Sequence, residues 1–418
     1  MSPNTIQIAG TALFATAVAH TFLTKYFGRL AHLQPSHAGI WHLLGEVEVV
    51  FGFWAFVLLA FMALSGGAGE AARYLEGLDY TEAAFVFVIM VVAASRPILV
   101  LCGSGARMLA RYIPVADGPA LYFVCLAVMP LLGSFITEPA AMTLAALMLR
   151  DNFYAHRISN RLRYVTLGTL LVNVSIGGTL THFAAPPVLM VAAKWNWDLW
   201  FMLGHFGWKA AIAVFVNAGV ATLLFARELG EVAVDVRAAG RSVPRTLIAL
   251  HVLFLVGIVY FAHHPVVFLG LFLLFLGVAE AYRHYHDRLM LREGLLVGFF
   301  LAGLVTLGAQ QQWWLQPALG GMDSTALYFG ATALTAITDN AALTYLGSLV
   351  DGTDAAFKYS LVAGAVTGGG LTVIANAPNP AGFAILRGHF HDEAINPVGL
   401  FVTALPPTVV AVLAFQTL

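Results

Sequence analysis

Charged residues are scarce in this chain, and their scarcity excludes a soluble domain. Of the 418 residues, 60% are hydrophobic and only 10% are charged, and the mean hydropathy is +0.82. A soluble domain of this length is much more polar. The chain is therefore predicted to be an integral membrane protein whose partner is the lipid bilayer. Its net charge of -1 says nothing about partners, because the charges are unevenly placed along the chain. We expect no nucleic-acid partner.

Cysteine is also rare, and the chain lacks the residue patterns of an enzyme. Cys102 and Cys125 lie in apolar stretches without metal-ligand spacing, so we interpret them as small buried hydrophobic residues. His20, His182 and His251 are scattered without the HExxH spacing of a zinc site. Because no Ser/His, Cys/His or zinc constellation is present, we expect neither enzymatic activity nor a cofactor.

An acidic motif occurs twice within apolar sequence. Residues 136–143 have the sequence ITEPAAMT, and residues 337–344 have the sequence ITDNAALT. Each copy is followed by a second polar interruption, at 177–187 and at 368–378. Paired interruptions at corresponding places in two halves are typical of the binding site of a secondary transporter.

The hydrophobic stretches predict ten membrane spans, because about 20 apolar residues cross a bilayer. The spans are predicted at residues 5–24, 40–64, 80–102, 163–192, 197–226, 246–262, 264–281, 293–311, 358–386 and 394–417. Two further stretches, 118–150 and 321–350, hold the acidic motifs and are each predicted to form a helical hairpin that enters and leaves on one side. The predicted fold class is an all-α polytopic membrane protein with two repeats, each of five spans and one re-entrant hairpin.

The two repeats are predicted to be inverted, because five crossings place the second repeat upside down relative to the first. The predicted division is a first repeat at 1–226, a cytoplasmic linker at 227–245 and a second repeat at 246–418. Each repeat has one broken helix, at 163–192 and at 358–386. These breaks follow the hairpins along the chain.

The basic residues predict the orientation, because cytoplasmic loops collect Lys and Arg. Sixteen of the 21 Lys and Arg residues fall in alternate loops on one side. Only Arg73, Lys194 and Lys358 fall on the other side. Both termini are then periplasmic, hairpin 118–150 opens to the cytoplasm, and hairpin 321–350 opens outward. The first apolar stretch follows no positive segment, so we expect it to be a retained span.

A break in a membrane helix leaves carbonyls and amides unpaired, so it persists only around a polar cavity. We therefore predict that the two hairpin tips and the two broken spans meet near the midplane, where carbonyl, Thr, Asn and carboxylate oxygens bind Na⁺. The predicted ion-binding and substrate-binding residues are Thr137, Glu138, Thr181, Thr338, Asp339, Asn340, Thr372, Asn376 and Asn379. Among them, Glu138, Asp339, Asn340 and Asn376 are the predicted Na⁺ ligands.

The repeated acids suggest a coupling mechanism. An ionised acid at the bilayer centre costs roughly 2.5 to 3.5 kcal/mol, so Glu138 and Asp339 need a cation, a proton or a basic partner. A carboxylate that binds either Na⁺ or H⁺ makes the two ions compete, which lets one gradient drive the other. The alternative is that each acid is neutral and caps a half-helix. Each Thr likewise has the alternative of bonding its own backbone.

Lys209 is a possible charge partner, because it is predicted near the middle of span 197–226 and needs compensation there. Pairing with Glu138 or Asp339, binding of an anionic substrate and a structural ion pair remain open.

His42, Glu46 and Glu48 lie near the cytoplasmic end of the second predicted span, at a depth like that of Arg96 in the third. For these acids we favour a structural pair between Glu and Arg over a proton relay.

At these residues the chain resembles the ion-transporter superfamily, and within it the bacterial sodium/proton antiporters. These are related to the divalent-anion sodium symporters and the arsenite-pump-type permeases. The resemblance covers nearly the whole chain and includes HLLGEVE at 42–48, TLTHFAAPP at 179–187 and NAPNP at 376–380.

The resemblance implies Na⁺ bound by hairpin tips and unwound segments, with Na⁺ and H⁺ as transported ions and an elevator-like moving domain. It also implies a homodimer in a bacterial inner membrane. The first tip, Glu138-Pro139, departs from the Asn-rich tip of anion-carrying relatives, which favours cation exchange. We expect Na⁺/H⁺ antiport by alternating access; the alternative is Na⁺-coupled symport of a small, dicarboxylate-like or inorganic anion.

Overall fold

The computed structural model describes residues 3–234, 242–391 and 394–418, and within these ranges every regular element is a helix. The α-helices of the first half are α1 Thr5–Leu33, α2 Ala38–Leu44, α3 Val47–Gly66, α4 Ala68–Glu76, α5 Thr81–Ala93, α6 Arg96–Tyr112, α7 Asp117–Ile136, α8 Glu138–Leu149, α9 Asn160–Gly177, α10 Pro186–Trp195, α11 Leu199–Met202, α12 Trp208–Leu224 and α13 Ala226–Gly230. Those of the second half are α14 Arg245–Tyr260, α15 Pro265–Ala281, α16 Leu291–Gly308, α17 Gln312–Leu319, α18 Ser324–Thr335, α19 Asn340–Ser348, α20 Ala355–Gly368, α21 Asn379–Leu386 and α22 Pro397–Thr417.

Several helices are long and apolar enough to cross a membrane. In the described chain there are six: α1 over Thr5–Leu23, α3, α7, the continuous helix Leu199–Leu224, α16 and α22. The bent pair α5 and α6 brings the number to seven if it forms one span. The predicted all-α polytopic membrane protein is confirmed, whereas the full count of ten spans stays a prediction.

The third predicted span differs from the expectation. A single span was expected at 80–102, but the helix bends by 64° between α5 and α6 and then continues to Tyr112. Pro97 lies at the start of α6. Proline has no backbone N–H and suits the first turn of a new helix, so the chain restarts a helix here in another direction.

The first acidic motif lies at a reversal of the chain. Helix α7 ends at Ile136, and α8 begins at Glu138 and packs back against α7. The approach is close: a Cβ placed on Gly133 of α7 would lie 3.2 Å from the Cβ of Ala141 in α8. The two helices have the geometry of the predicted hairpin, although α7 is long enough to cross a membrane alone.

The second hairpin is more open than the first. Helix α18 packs along α20 rather than along its partner α19. A cavity of about 310 Å³ is lined by both arms of this hairpin and by residues of α1 and α3, and it reaches the tip at Thr338 and Asp339. The second tip is therefore accessible from a cavity.

Both predicted broken spans are interrupted. Helix α9 ends at Gly177 and α10 begins at Pro186, while α20 ends at Gly368 and α21 begins at Asn379. The halves of the molecule pack crosswise, with α8 against α21 and α19 against α10. This packing brings the tips and the breaks together.

The predicted division into two inverted repeats joined by a linker stays a prediction. Of the linker, residues 235–241 lie outside the described residues. Its first part forms α13, which packs against α7.

Candidate functional site

The first hairpin turns at Thr137, which has an unusual backbone. Its φ is 73°, one of two positive values among the described non-glycine residues. A β-branched residue rarely adopts this conformation, and strained residues of this kind cluster at functional sites. The Thr137 hydroxyl is buried and has no hydrogen-bond partner in the described chain.

Glu138, the first residue of α8, lies at the centre of the site and is 0% exposed. Its Oε2 accepts a hydrogen bond of 2.8 Å from the side-chain amide of Asn376 in the second broken span. Its Oε1 has no partner among the described residues. A Cβ on Gly178, in the first broken span, would lie 2.3 Å from that oxygen. One hairpin tip and both breaks therefore meet at this carboxyl group.

The carboxyl group of Asp339 is placed differently. It precedes α19 and caps it, because Oδ1 accepts from the backbone N–H groups of Ala341 at 2.8 Å and Ala342 at 3.1 Å. This is the capping alternative described above, and it applies to Asp339 but not to Glu138. Asp339 also lines the 310 Å³ cavity.

Asn340, the first residue of α19, is the second residue that faces the breaks. Its backbone N–H donates to the carbonyl of Ala375 at 3.1 Å, and both polar atoms of its side chain lack a partner in the described ranges. A Cβ on Gly369 would lie 2.9 Å from its Nδ2 and 2.2 Å from the Oγ of Ser175. Gly369 has the same position in the second interruption that Gly178 has in the first. At each hairpin tip, the inward-facing side chain therefore lies close to the equivalent glycine.

Buried polar atoms without partners are concentrated here. Asn379 donates from Nδ2 to the carbonyls of Gly369 at 2.7 Å and Thr372 at 2.8 Å, but its Oδ1 has no partner in the part of the chain described. The buried oxygens of this kind on the tips and breaks are Glu138 Oε1, Asn340 Oδ1, Asn376 Oδ1, Asn379 Oδ1 and Thr137 Oγ1. Buried polar groups are normally hydrogen-bonded, and these are the oxygen types that hard cations prefer.

The remaining threonines connect the breaks to the hairpins. Thr181 donates to the carbonyl of Ser134 at 2.5 Å, and Thr372 donates to the carbonyl of Ala336 at 2.8 Å. Thr338, which follows α18, donates to the carbonyl of Leu334 in that helix at 2.9 Å. All three hydroxyls therefore donate to backbone carbonyls. Those of Thr181 and Thr372 link the broken spans to the hairpins.

Lys209 lies away from both acids. Its Nζ donates to the hydroxyl of Tyr359 at 2.9 Å and lies 4.7 Å from the centre of that ring and 5.9 Å from that of Trp208. Among the described residues, neither Glu138 nor Asp339 forms an ion pair with a basic group. The structure therefore does not bring Lys209 to the carboxylates.

The acids near the start of α3 are paired differently from the expectation. Arg292 at the start of α16 donates to Glu46 at 2.6 Å, while Arg96 approaches Asp287 at 3.9 Å. Within the described ranges, Arg96 therefore forms no pair with a Glu of this group. The reason is that α16 packs directly against α3, whereas α6 starts beyond the bend after α5.

One feature of the site was not identified from the sequence. The glycines Gly178 and Gly369 leave room for the tip side chains, and their equal places in the two interruptions were the available signal.

Interrupted spans among membrane-crossing helices converge on a buried carboxyl group that has no basic partner in the described part of the chain. This arrangement is typical of ion transporters. The family described as "Putative Na+/H+ antiporter" matches residues 5–418, and the chain belongs to this family. A search of the curated proteins finds no match. Family membership confirms the predicted resemblance to sodium/proton antiporters. The relation to the wider superfamily and the homodimer stay predictions.

Proposed function

We propose that this chain exchanges Na⁺ for H⁺ across a bacterial inner membrane by alternating access at the site around Glu138. The observation that supports this most is the fully buried Glu138, whose Oε2 accepts from the Asn376 amide while its Oε1 has no partner among the described residues. Such a carboxyl group is stable when it holds either a cation or a proton. Competition between these two ions for one group couples their movements.

In this proposal Na⁺ is held by Glu138 together with the side-chain oxygens of Asn340 and Asn376, each of which has no partner among the described residues. Asn379 and Thr137 are further candidate ligands. Asp339 is the second carboxyl group; capping engages its Oδ1, so it acts on the ion through its charge and its remaining oxygen. Thr181, Thr338 and Thr372 contribute by holding the backbone.

The crosswise packing of tips and breaks supports two inverted repeats at 1–226 and 246–418, joined by the linker 227–245. Both termini are then periplasmic. Motion of the hairpins and broken spans relative to the other helices, within a homodimer, opens the site alternately to the two sides.

Anion symport is less well supported by this site. Prolines lie in the first turns of α8, α10 and α21, where they remove N–H donors. The N-terminus of α19 is occupied by Asp339. Helix N-termini attract anions through these N–H groups, so they are poorly available here, and Lys209 lies elsewhere.

The test is made in proteoliposomes with an imposed pH gradient. NaCl is expected to dissipate the gradient with the wild type, and not with Glu138→Gln, whereas choline chloride is expected to have no effect. Glu280→Gln, an exposed acid at the end of α15, is the matched control and is expected to behave as the wild type. A folded wild type that gives no proton response in any salt contradicts the proposal and leads to a screen of dicarboxylates.

A further inference from the structure

The consecutive helices α15 and α16 diverge and leave a cavity between them. Helix α15 packs against α14 and α5, whereas α16 packs against α3 and α5. The cavity lies at the end where the two helices are joined, and its volume is about 1040 Å³. Ligand pockets in proteins measure roughly 300 to 1000 Å³, so this cavity is large enough for a sizeable molecule. None of its lining residues belongs to the hairpin tips or the breaks.

The wall of the cavity changes character along the two helices. All of its charged residues lie between Glu280 at the end of α15 and Arg292 at the start of α16. Further into the helices the wall is apolar, with Leu276 in α15 and with Leu296 and Phe299 in α16. A cavity with one charged end and one apolar end suits an amphipathic ligand, because its head and its tail need different surroundings.

Two of the charged side chains that line the cavity are already engaged. Arg292 is paired with Glu46 at 2.6 Å. Asp287 approaches Arg96 at 3.9 Å. In both pairs the partner lies outside the wall of the cavity. These two side chains are therefore compensated without a ligand.

The remaining charges of the wall are those of Arg283, Arg288 and Glu280. All three side chains are exposed, and within the described ranges none of them forms an ion pair or a hydrogen bond. Two guanidinium groups and one carboxylate leave a net positive charge, which favours an anionic ligand. Guanidinium groups also match the geometry of phosphate, to whose oxygens they donate pairs of hydrogen bonds.

The apolar end of the cavity adjoins exposed apolar surface. Leu295 of α16 lines the cavity and is 55% exposed. Leu273 lies one turn before Leu276 on the same face of α15 and is 68% exposed. In a membrane protein such surface contacts lipid tails. The charged end falls on the predicted cytoplasmic side, where basic pockets between membrane helices bind anionic lipid headgroups.

We propose that this cavity binds an anionic phospholipid, with its phosphate between Arg283 and Arg288 and an acyl chain along Leu276, Leu296 and Phe299. A soluble anion would use only the charged end, and an apolar partner surface would use only the other end. A phospholipid uses both. This binding site does not depend on the proposed antiport.

Native mass spectrometry of the purified protein in detergent tests the site. The protein is titrated with phosphatidylglycerol and, separately, with phosphatidylcholine that has the same acyl chains. The wild type is expected to bind its first phosphatidylglycerol about 30-fold more tightly, since each arginine contributes about 1 kcal/mol towards an anionic lipid. The double variant Arg283→Gln with Arg288→Gln is expected to lose this preference.

Two further double variants complete the test. Arg157→Gln with Arg227→Gln removes two exposed arginines of the same predicted side that do not line the cavity, and it is expected to bind both lipids as the wild type does. Arg283→Lys with Arg288→Lys keeps both charges and is expected to keep most of the preference.

The outcomes are distinguishable. Loss of the preference in the Gln variant at 283 and 288 alone supports the site. Equal binding of the two lipids by the wild type overturns it, and so does an equal loss of preference in the control at 157 and 227. Displacement of the bound lipid by inorganic phosphate indicates a soluble-anion site and also overturns it. A wild-type dimer that dissociates in the Gln variant, with an unchanged lipid preference, assigns the cavity to a contact between two copies instead.

Discussion

The two hairpin tips are copies of one motif, but they present different groups to the site. At the first tip the acid Glu138 is itself the first residue of α8 and faces the breaks. At the second tip the acid Asp339 precedes α19, and the next residue, Asn340, faces the breaks. In both hairpins the inward group is thus the first residue of the second helix. Where that helix begins decides which side chain enters the site.

The difference follows from capping chemistry. Asp is among the best N-cap residues because its short side chain reaches the N–H groups of the next turn, and Glu is not. Asp339 uses this ability, so α19 begins one residue later in the motif than α8 does. As a result the first half supplies a buried carboxyl group and the second half supplies an amide. The site is therefore asymmetric, although Gly178 and Gly369 occupy equivalent positions in the two interruptions.

The largest expected effect is on Na⁺ affinity, and it differs between substitutions of the two acids. Glu138→Gln removes the buried charge beside the proposed ion, and leaving a buried ion without its partner costs about 3 to 5 kcal/mol, so Na⁺ affinity is expected to fall by about 100-fold or more. Asp339→Asn keeps a good cap and is expected to weaken Na⁺ binding by only about tenfold. Na⁺-dependent thermal stabilisation of the purified protein measures both. The reverse order contradicts the asymmetry.

The glycine supports provide the second comparison. A Cβ on Gly178 meets the Glu138 carboxyl group at 2.3 Å, and one on Gly369 meets the Ser175 hydroxyl at 2.2 Å. Each alanine variant displaces a group at the site and is expected to lower Na⁺ affinity by about tenfold, the equivalent of roughly 1.4 kcal/mol.

Gly204→Ala is the matched control for this comparison, because nothing lies within 4 Å of the added Cβ. It is expected to bind Na⁺ as the wild type does. If only the variant at 178 loses affinity, the second tip does not take part in binding the ion.

The third comparison concerns the capping of α19 by Asp339, and its expected effect on stability is smaller. Asp339→Ala removes the hydrogen bonds to Ala341 and Ala342, which is expected to cost about 1 kcal/mol of stability. Asp339→Asn is expected to cost little, since Asn also caps well. Thermal unfolding without Na⁺ measures the difference. Equal melting temperatures for the two variants would show that the cap does not determine where α19 begins.

Much of the fold was predictable from the sequence, because apolar length and paired polar interruptions are local signals. The predicted hairpin 118–150 corresponds to α7 and α8, and the break predicted within 358–386 separates α20 from α21. The bend between α5 and α6 was missed, since Pro97 permits a helix start without requiring one.

The site was predictable as a set of residues but not as an arrangement. The motif alone predicts the same role for Glu138 and Asp339. Only the capping of α19 shows which of the two acids faces the breaks. The pairing of Glu46 with Arg292 depends on the packing of α16 against α3, which joins residues far apart in the chain. A single sequence shows no signal for such a contact.

The hydrogen bonds that link the broken spans to the hairpins are expected to have the smallest effect, which is on stability. In the first half Thr181 is supported by Ser134, whose hydroxyl donates to the Gly177 carbonyl at 2.7 Å and accepts from the Leu180 N–H at 2.9 Å. In the second half the residue at the place of Ser134 in the motif is Thr335, whose hydroxyl has no partner among the described residues. In the described part of the chain, therefore, Thr335 does not supply beside Thr372 the additional bonds that Ser134 supplies beside Thr181.

Because the Ser134 hydroxyl reinforces the link beside Thr181 and the Thr335 hydroxyl forms no such bond among the described residues, Thr372→Val is expected to cost about 1 kcal/mol of stability and Thr181→Val about half as much. Thr417→Val, at the exposed end of α22, is the control and is expected to have no effect. Thermal unfolding orders the three variants. If Thr181→Val is the more destabilising, the bonds of Ser134 do not substitute for the lost hydroxyl, and the first break depends on Thr181 itself.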